Sequence, residues 1–83
     1  MHTYFPKGVC SRQMNVELDE NEKITKCEII GGCAGNTAGI CQLVIGMDAK
    51  DALKRLRGID CRGRGTSCPD QLSNAIEEAL AEL

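Results

Sequence analysis

The stretch that decides the fold runs Arg12-Gln13-Met14-Asn15-Val16-Glu17-Leu18, then Asp19-Glu20-Asn21-Glu22, then Lys23-Ile24-Thr25-Lys26-Cys27-Glu28-Ile29-Ile30. Met14, Val16 and Leu18 alternate with Gln13, Asn15 and Glu17. A period of two predicts a strand over 12–18 with one apolar face. The polar run 19–22 predicts a hairpin turn. Residues 23–30, which carry Ile24, Cys27, Ile29 and Ile30, predict a second strand antiparallel to the first. Tyr4 and Phe5, before the Pro6-Lys7-Gly8 turn, predict a short edge strand.

Downstream the period changes. Gly31-Gly32 ends the sheet, and Cys33-Ala34-Gly35-Asn36 leads into a helix over 37–45, with Asn36 as N-cap and Gly46 as terminator. Asp48 followed by Asp51 forms a weaker capping box for a helix over 49–57, closed by Gly58. Its apolar face is Ala49, Ala52, Leu53 and Leu56. In the last segment Pro69 takes the first helical position. Leu72, Ala75, Ile76, Ala79, Leu80 and Leu83 then follow the i, i+3, i+4, i+7 pattern. Strands first and helices after predict an α+β fold over residues 1–83. It is a two- to three-stranded antiparallel sheet followed by three helices packed on one face.

A chain of 83 residues has room for one modest core, and at that size a bound metal would help to hold it. The net charge of −2 supplies no field that would draw nucleic acid or an anionic membrane. The only aromatics, Tyr4 and Phe5, are too few for a base-stacking platform. No run approaches the roughly 20 apolar residues of a membrane span. The first residues also lack the apolar region of a secretory signal. The expectation is therefore a cytoplasmic protein whose six cysteines remain thiols. The competing expectation, an exported disulfide scaffold, needs a leader that this sequence does not show.

The cysteines fall into two groups. Cys10, Cys33, Cys61 and Cys68 lie in loops or at element boundaries close to glycine or a helix start, with Gly8, Gly32, Gly63 and Pro69 nearby. Glycine lets backbone approach a coordinated ion closely. A helix start favours the thiolate, the form that binds zinc or iron. These four are the candidate metal ligands, and their spacing matches no zinc-finger template and contains no Cys-x-x-Cys pair. Cys27, mid-strand, and Cys41, mid-helix beside Ile40, are assigned to core packing.

The loop Cys61-Arg62-Gly63-Arg64-Gly65-Thr66-Ser67-Cys68 ends at a helix N-terminus. It lacks the P-loop pattern. Arg62 and Arg64, with Lys7 as a third candidate, are read either as an anion site or as cations that offset thiolates or an anionic cluster. The second of these is preferred. His2, the single histidine, is expected in a frayed terminus without a role. Glu77, Glu78 and Glu82 are expected on a solvated helix face.

Thr66-Ser67-Cys68-Pro69-Asp70, together with Lys7-Gly8-Val9-Cys10-Ser11 and Gly31-Gly32-Cys33-Ala34-Gly35-Asn36, resembles the small bacterial TSCPD-domain family over nearly the whole chain. Related domains occur at the C-terminal end of some vitamin B12-dependent ribonucleotide reductases. The resemblance thus implies an accessory role toward such a reductase. A more distant similarity is to IscU/NifU-type iron–sulfur scaffolds, in which three cysteines converge at one end of an α+β fold. Cys10, Gly32-Cys33 and Cys68 stand where those cysteines would. Two departures count: the scaffolds' acidic residue after the first cysteine is Arg12 here, and the histidine or lysine before the third is Ser67. Cys61 adds a fourth sulfur that the scaffolds lack there, and four thiolates suit holding a metal better than delivering it.

The leading expectation is a metal- or cluster-binding accessory domain that takes zinc or an iron–sulfur cluster through Cys10, Cys33, Cys61 and Cys68. The alternatives are a thiol-redox module that passes electrons to a ribonucleotide reductase through Cys61 and Cys68, and a nucleotide-binding regulatory domain using Arg62 and Arg64. The expected partners are proteins, either a ribonucleotide reductase or cluster-assembly proteins, and not nucleic acid or membrane. A free edge strand would let two copies pair as a homodimer. The chain is not expected to be an enzyme on its own, because with one histidine a cysteine–histidine dyad has almost no candidates.

Overall fold

The computed structural model describes residues 2–9, 11–32, 34–59, 63 and 65–83, with the side chain of Ala34 excepted. Three strands, β1 (His2–Tyr4), β2 (Ser11–Leu18) and β3 (Ile24–Gly31), precede three helices, α1 (Ala34–Val44), α2 (Ala49–Leu56) and α3 (Cys68–Ala81). The sheet is antiparallel throughout in the order β1-β2-β3. The fold is the α+β arrangement expected from the order of periodicities.

Register explains which side chains enter the core. Met14 pairs with Tyr4 on one side and Ile29 on the other, and Val16 pairs with His2 and Cys27. Paired residues project to the same face, so these two rows form the inner surface. Met14 and Val16 are fully buried there, with Tyr4, Cys27 and Ile29 packed at their edges. The outer face is polar. Thr3 Oγ1 donates to Asn15 Oδ1 at 2.9 Å, Gln13 Nε2 donates to the same oxygen at 3.1 Å, and Asn15 Nδ2 donates to Glu28 Oε1 at 2.8 Å.

Two register shifts break strict alternation, between Ser11 and Gln13 and between Glu17 and Leu18. Such irregularities re-aim side chains. The second skips Thr25 in the register, where its hydroxyl donates to the Glu17 carbonyl at 3.1 Å, and turns Ile24 inward, where it is fully buried. The first separates Ser11, which is buried, from Gln13 on the outer network. The intervening turn is held by Asp19, whose Oδ1 accepts the backbone N–H groups of Asn21 and Lys23 at 2.9 and 2.8 Å.

The helices cover the inner face. α3 lies over β1 and β2 and α1 lies over β3, while α2 packs mainly against α3. On α3, Leu72, Ala75, Ile76 and Ala79 are buried, as the apolar stripe predicts, whereas Leu83 is exposed beyond the helix end. Asp48 caps α2 by accepting the Asp51 N–H at 3.3 Å, and Gly58 follows the helix with a φ of +87°. The segment between α1 and α2 is stitched to the hairpin. Ile24 N–H donates to the Met47 carbonyl at 2.9 Å, and Gly46 N–H donates to the Ile24 carbonyl at 2.7 Å.

Three expectations are corrected. α1 begins at Ala34, so Asn36 lies inside its first turn and is not the cap. Phe5 falls outside β1 and is 66% exposed. His2 is not frayed: it belongs to β1, Nε2 lies 2.7 Å from Glu78 Oε1, and Nδ1 contacts the Glu82 carboxylate. The cause is pairing with Val16, which turns the ring toward α3. Two of the three glutamates expected on a solvated face therefore hold β1.

Candidate thiolate site at the start of the last helix

The pentapeptide Thr66-Ser67-Cys68-Pro69-Asp70 is a self-capped helix start. Ser67 is the N-cap: its Oγ accepts the Asp70 N–H at 3.2 Å and donates to the Ile59 carbonyl at 2.6 Å. Thr66 Oγ1 donates to Asp70 Oδ2 at 2.6 Å, and Asp70 Oδ1 accepts the Gly58 N–H at 2.7 Å. The acidic group also complements the positive end of the helix. The Thr66 hydroxyl, then the Gly58 N–H, then nearby Arg57, hold the Asp70 carboxyl below its ordinary value. Pro69 stands second in the helix, one place later than predicted, where its missing N–H costs nothing.

This capping leaves Cys68 as the first helical residue, half-buried, with Sγ 3.4 Å from Ser11 Oγ. The two residues come from opposite ends of the chain. Ser11 in turn pairs with Gly31 at the end of β3. A Cβ on Gly32 would lie 3.5 Å from the Ser11 backbone nitrogen, and one on Gly8 would lie 3.2 Å from Thr66 Cγ2. Gly8 and Gly32 both have a φ of +74°. One end of the sheet thus gathers Gly8, Ser11, Gly31, Gly32, Thr66 and Cys68.

Gln71 holds this end together from behind. It is buried; Oε1 accepts the Tyr4 hydroxyl at 2.8 Å and the Lys7 N–H at 3.2 Å, and Nε2 donates to Thr66 Oγ1 at 2.9 Å. One amide therefore ties β1, the following turn and the pentapeptide together. Arg57 anchors the end of α2 by donating to Glu77 Oε2, Asn74 Oδ1 and Ser73 Oγ at 3.2, 3.2 and 3.4 Å.

Of the candidate ligands, Cys68 is placed as described, while Cys10, Cys33 and Cys61 lie outside the described residues, as do Arg62 and Arg64. Lys7 is exposed and meets Gln71 through its backbone. Among the described residues no group of three His, Cys, Asp or Glu side chains is arranged to hold a metal ion. Cys68 is a half-buried thiol in the first turn of a helix, and cysteine sulfur is a ligand for zinc and iron.

Sequence reasoning missed Ser11, Gln71 and one sulfur contact. Alternation alone puts Ser11 on the outer face with Gln13, and only the register shift reverses this. Gln71 did carry a signal, as a polar residue beside the apolar stripe of α3. Of the two cysteines assigned to packing, Cys27 packs against the core and Cys41 is buried, and their sulfurs also meet at 2.8 Å.

A family model described as the TSCPD domain matches residues 2–80. Neither the curated proteins nor the solved structures give a match to the chain. These comparisons do not show the similarity to iron–sulfur scaffolds.

Proposed function

The chain belongs to the TSCPD-domain family, and on that premise we propose that it is an accessory domain that binds zinc or an iron–sulfur cluster through Cys10, Cys33, Cys61 and Cys68. The supporting observation is the meeting of Ser11 and Cys68 at 3.4 Å beside Gly31. Ser11 follows Cys10 in the chain and Gly31 precedes Cys33 by two, so segments bearing three of the cysteines lead to one end of the sheet. The donor set fits a thiophilic metal: sulfur ligands, with glycines that admit close approach. A bound metal would cross-link these segments and add to folding stability. Four thiolates leave no open position, which suits holding over delivery. The client in this reading is a larger enzyme such as a ribonucleotide reductase, or the cluster-assembly proteins.

Native mass spectrometry of protein purified anaerobically without a metal-affinity tag tests the reading. It expects an added mass of one zinc or one cluster per chain or per dimer, released by chelator or acid. Metal-free, folded protein under those conditions would overturn it.

A further inference from the structure

Cys27 on β3 and Cys41 on α1 are free thiols whose sulfurs lie 2.8 Å apart, although residues 28–40 separate them in the chain. The contact follows from the fold: pairing with Val16 turns Cys27 to the inner face, and α1 packs over β3. Cys27 is half-buried and Cys41 is 6% exposed. Both residues line an open cavity of about 320 Å³, together with Glu28, Thr37, Ala38 and Gln42. A sulfur–sulfur bond is about 2.05 Å long, so closure requires a small approach of two groups already in contact.

We propose that Cys27 and Cys41 are a dithiol that exchanges with small disulfides entering this cavity and closes into a reversible β3–α1 cross-link. The proposal stands apart from the metal site, since it uses neither Cys68 nor the other three candidate ligands. The Cys27 thiol donates to Cys41 Sγ, and this hydrogen bond, before burial, pushes the Cys27 thiol up. The same bond, opposed by burial, lowers Cys41. Because the two sulfurs are in contact, either can open the exchange and the other resolve it.

In the first step one of the two, as its thiolate, attacks one sulfur of the small disulfide RSSR, forming a mixed disulfide with the protein and releasing RS⁻. The other thiol then gives its proton to RS⁻ and attacks the protein sulfur of that mixed disulfide. The bond from that sulfur to SR breaks, the second RS⁻ leaves, and it takes up the proton that the first thiol had lost to solvent. In sum, two protein thiols are oxidised, RSSR is reduced to two RSH, and both thiol protons end on RSH. Excess RSH runs the sequence backward.

The test equilibrates the full chain in buffers of varied ratio of glutathione to glutathione disulfide, traps thiols with an alkylating agent, and maps disulfides by peptide mass spectrometry. The expected result is a Cys27–Cys41 peptide pair that rises and falls reversibly with the ratio, with a melting temperature about 5 °C or more above that of the reduced protein. Cys27→Ser or Cys41→Ser should instead trap glutathione on the cysteine that remains of the pair. Finding no Cys27–Cys41 pair at any ratio, or finding these two cysteines bridged only to other cysteines, would overturn the proposal.

Discussion

Ser11 Oγ and Cys68 Sγ stand 3.4 Å apart, one at the start of β2 and the other at the start of α3. The register shift after Ser11 turns the hydroxyl inward, and the Ser67 cap fixes where α3 begins. Strand irregularity and helix capping together place a half-buried thiol at the glycine-rich end of the sheet.

Ser11→Ala removes the hydroxyl that covers this sulfur. Cys68 should then react several-fold faster with a bulky maleimide in the metal-free protein, and stability should fall by about 1 kcal/mol. Peptide-resolved alkylation rates and urea unfolding measure the two effects. An unchanged Cys68 rate would show that Ser11 does not shield it.

Asp70 should make stability depend on acid. Its folded-state carboxyl lies below the ordinary value because Thr66 and Gly58 donate to the ionised form. A depressed carboxyl contributes stability above its unfolded value of about 3.9 and loses it as pH falls through the folded value. Asp70→Asn should cost about 1–2 kcal/mol at pH 7. The gap from wild type should close as pH falls below the unfolded value and through the folded one. Urea unfolding of both proteins from pH 7 downward gives the comparison.

Ile76 is fully buried on α3 within the cluster that includes Met14 and Val16. Ile76→Ala should cost roughly 2–5 kcal/mol, a large share of the stability of so small a domain. Denaturant unfolding measures it, and a cost under about 1 kcal/mol would mean that the stripe is not the core.

Tyr4→Phe tests the Gln71 junction. The substitution removes the hydroxyl that donates to Gln71 Oε1 at 2.8 Å and leaves the Lys7 N–H as that oxygen's remaining donor. A loss of about 1 kcal/mol is expected from thermal or denaturant unfolding.

The hairpin and α3 were legible because their periods repeat over many residues, and Gly46, Gly58 and Asp48 marked real boundaries. The start of α1 was not. Gly35 and Asn36 have low helix propensity, but propensity is a weak prior that tertiary context overrides. Register shifts leave no mark in composition, so the inward turns of Ser11 and Ile24 were invisible. Cys27 could be read as inward-facing from its alternation with Ile29. Its meeting with Cys41 depends on where α1 crosses β3, which no local pattern encodes. Cys68 was legible as a helix-start thiol from Ser67 and Pro69.

The most direct test of the central claim is elemental and sulfide analysis with UV–visible spectroscopy, comparing anaerobically purified wild type with Cys68→Ala and with Cys41→Ser as a control outside the proposed ligand set. The account predicts stoichiometric zinc, or iron with sulfide absorption, in wild type and Cys41→Ser, and its loss in Cys68→Ala. Equal metal content in Cys68→Ala and wild type, or none in any folded protein, would contradict it.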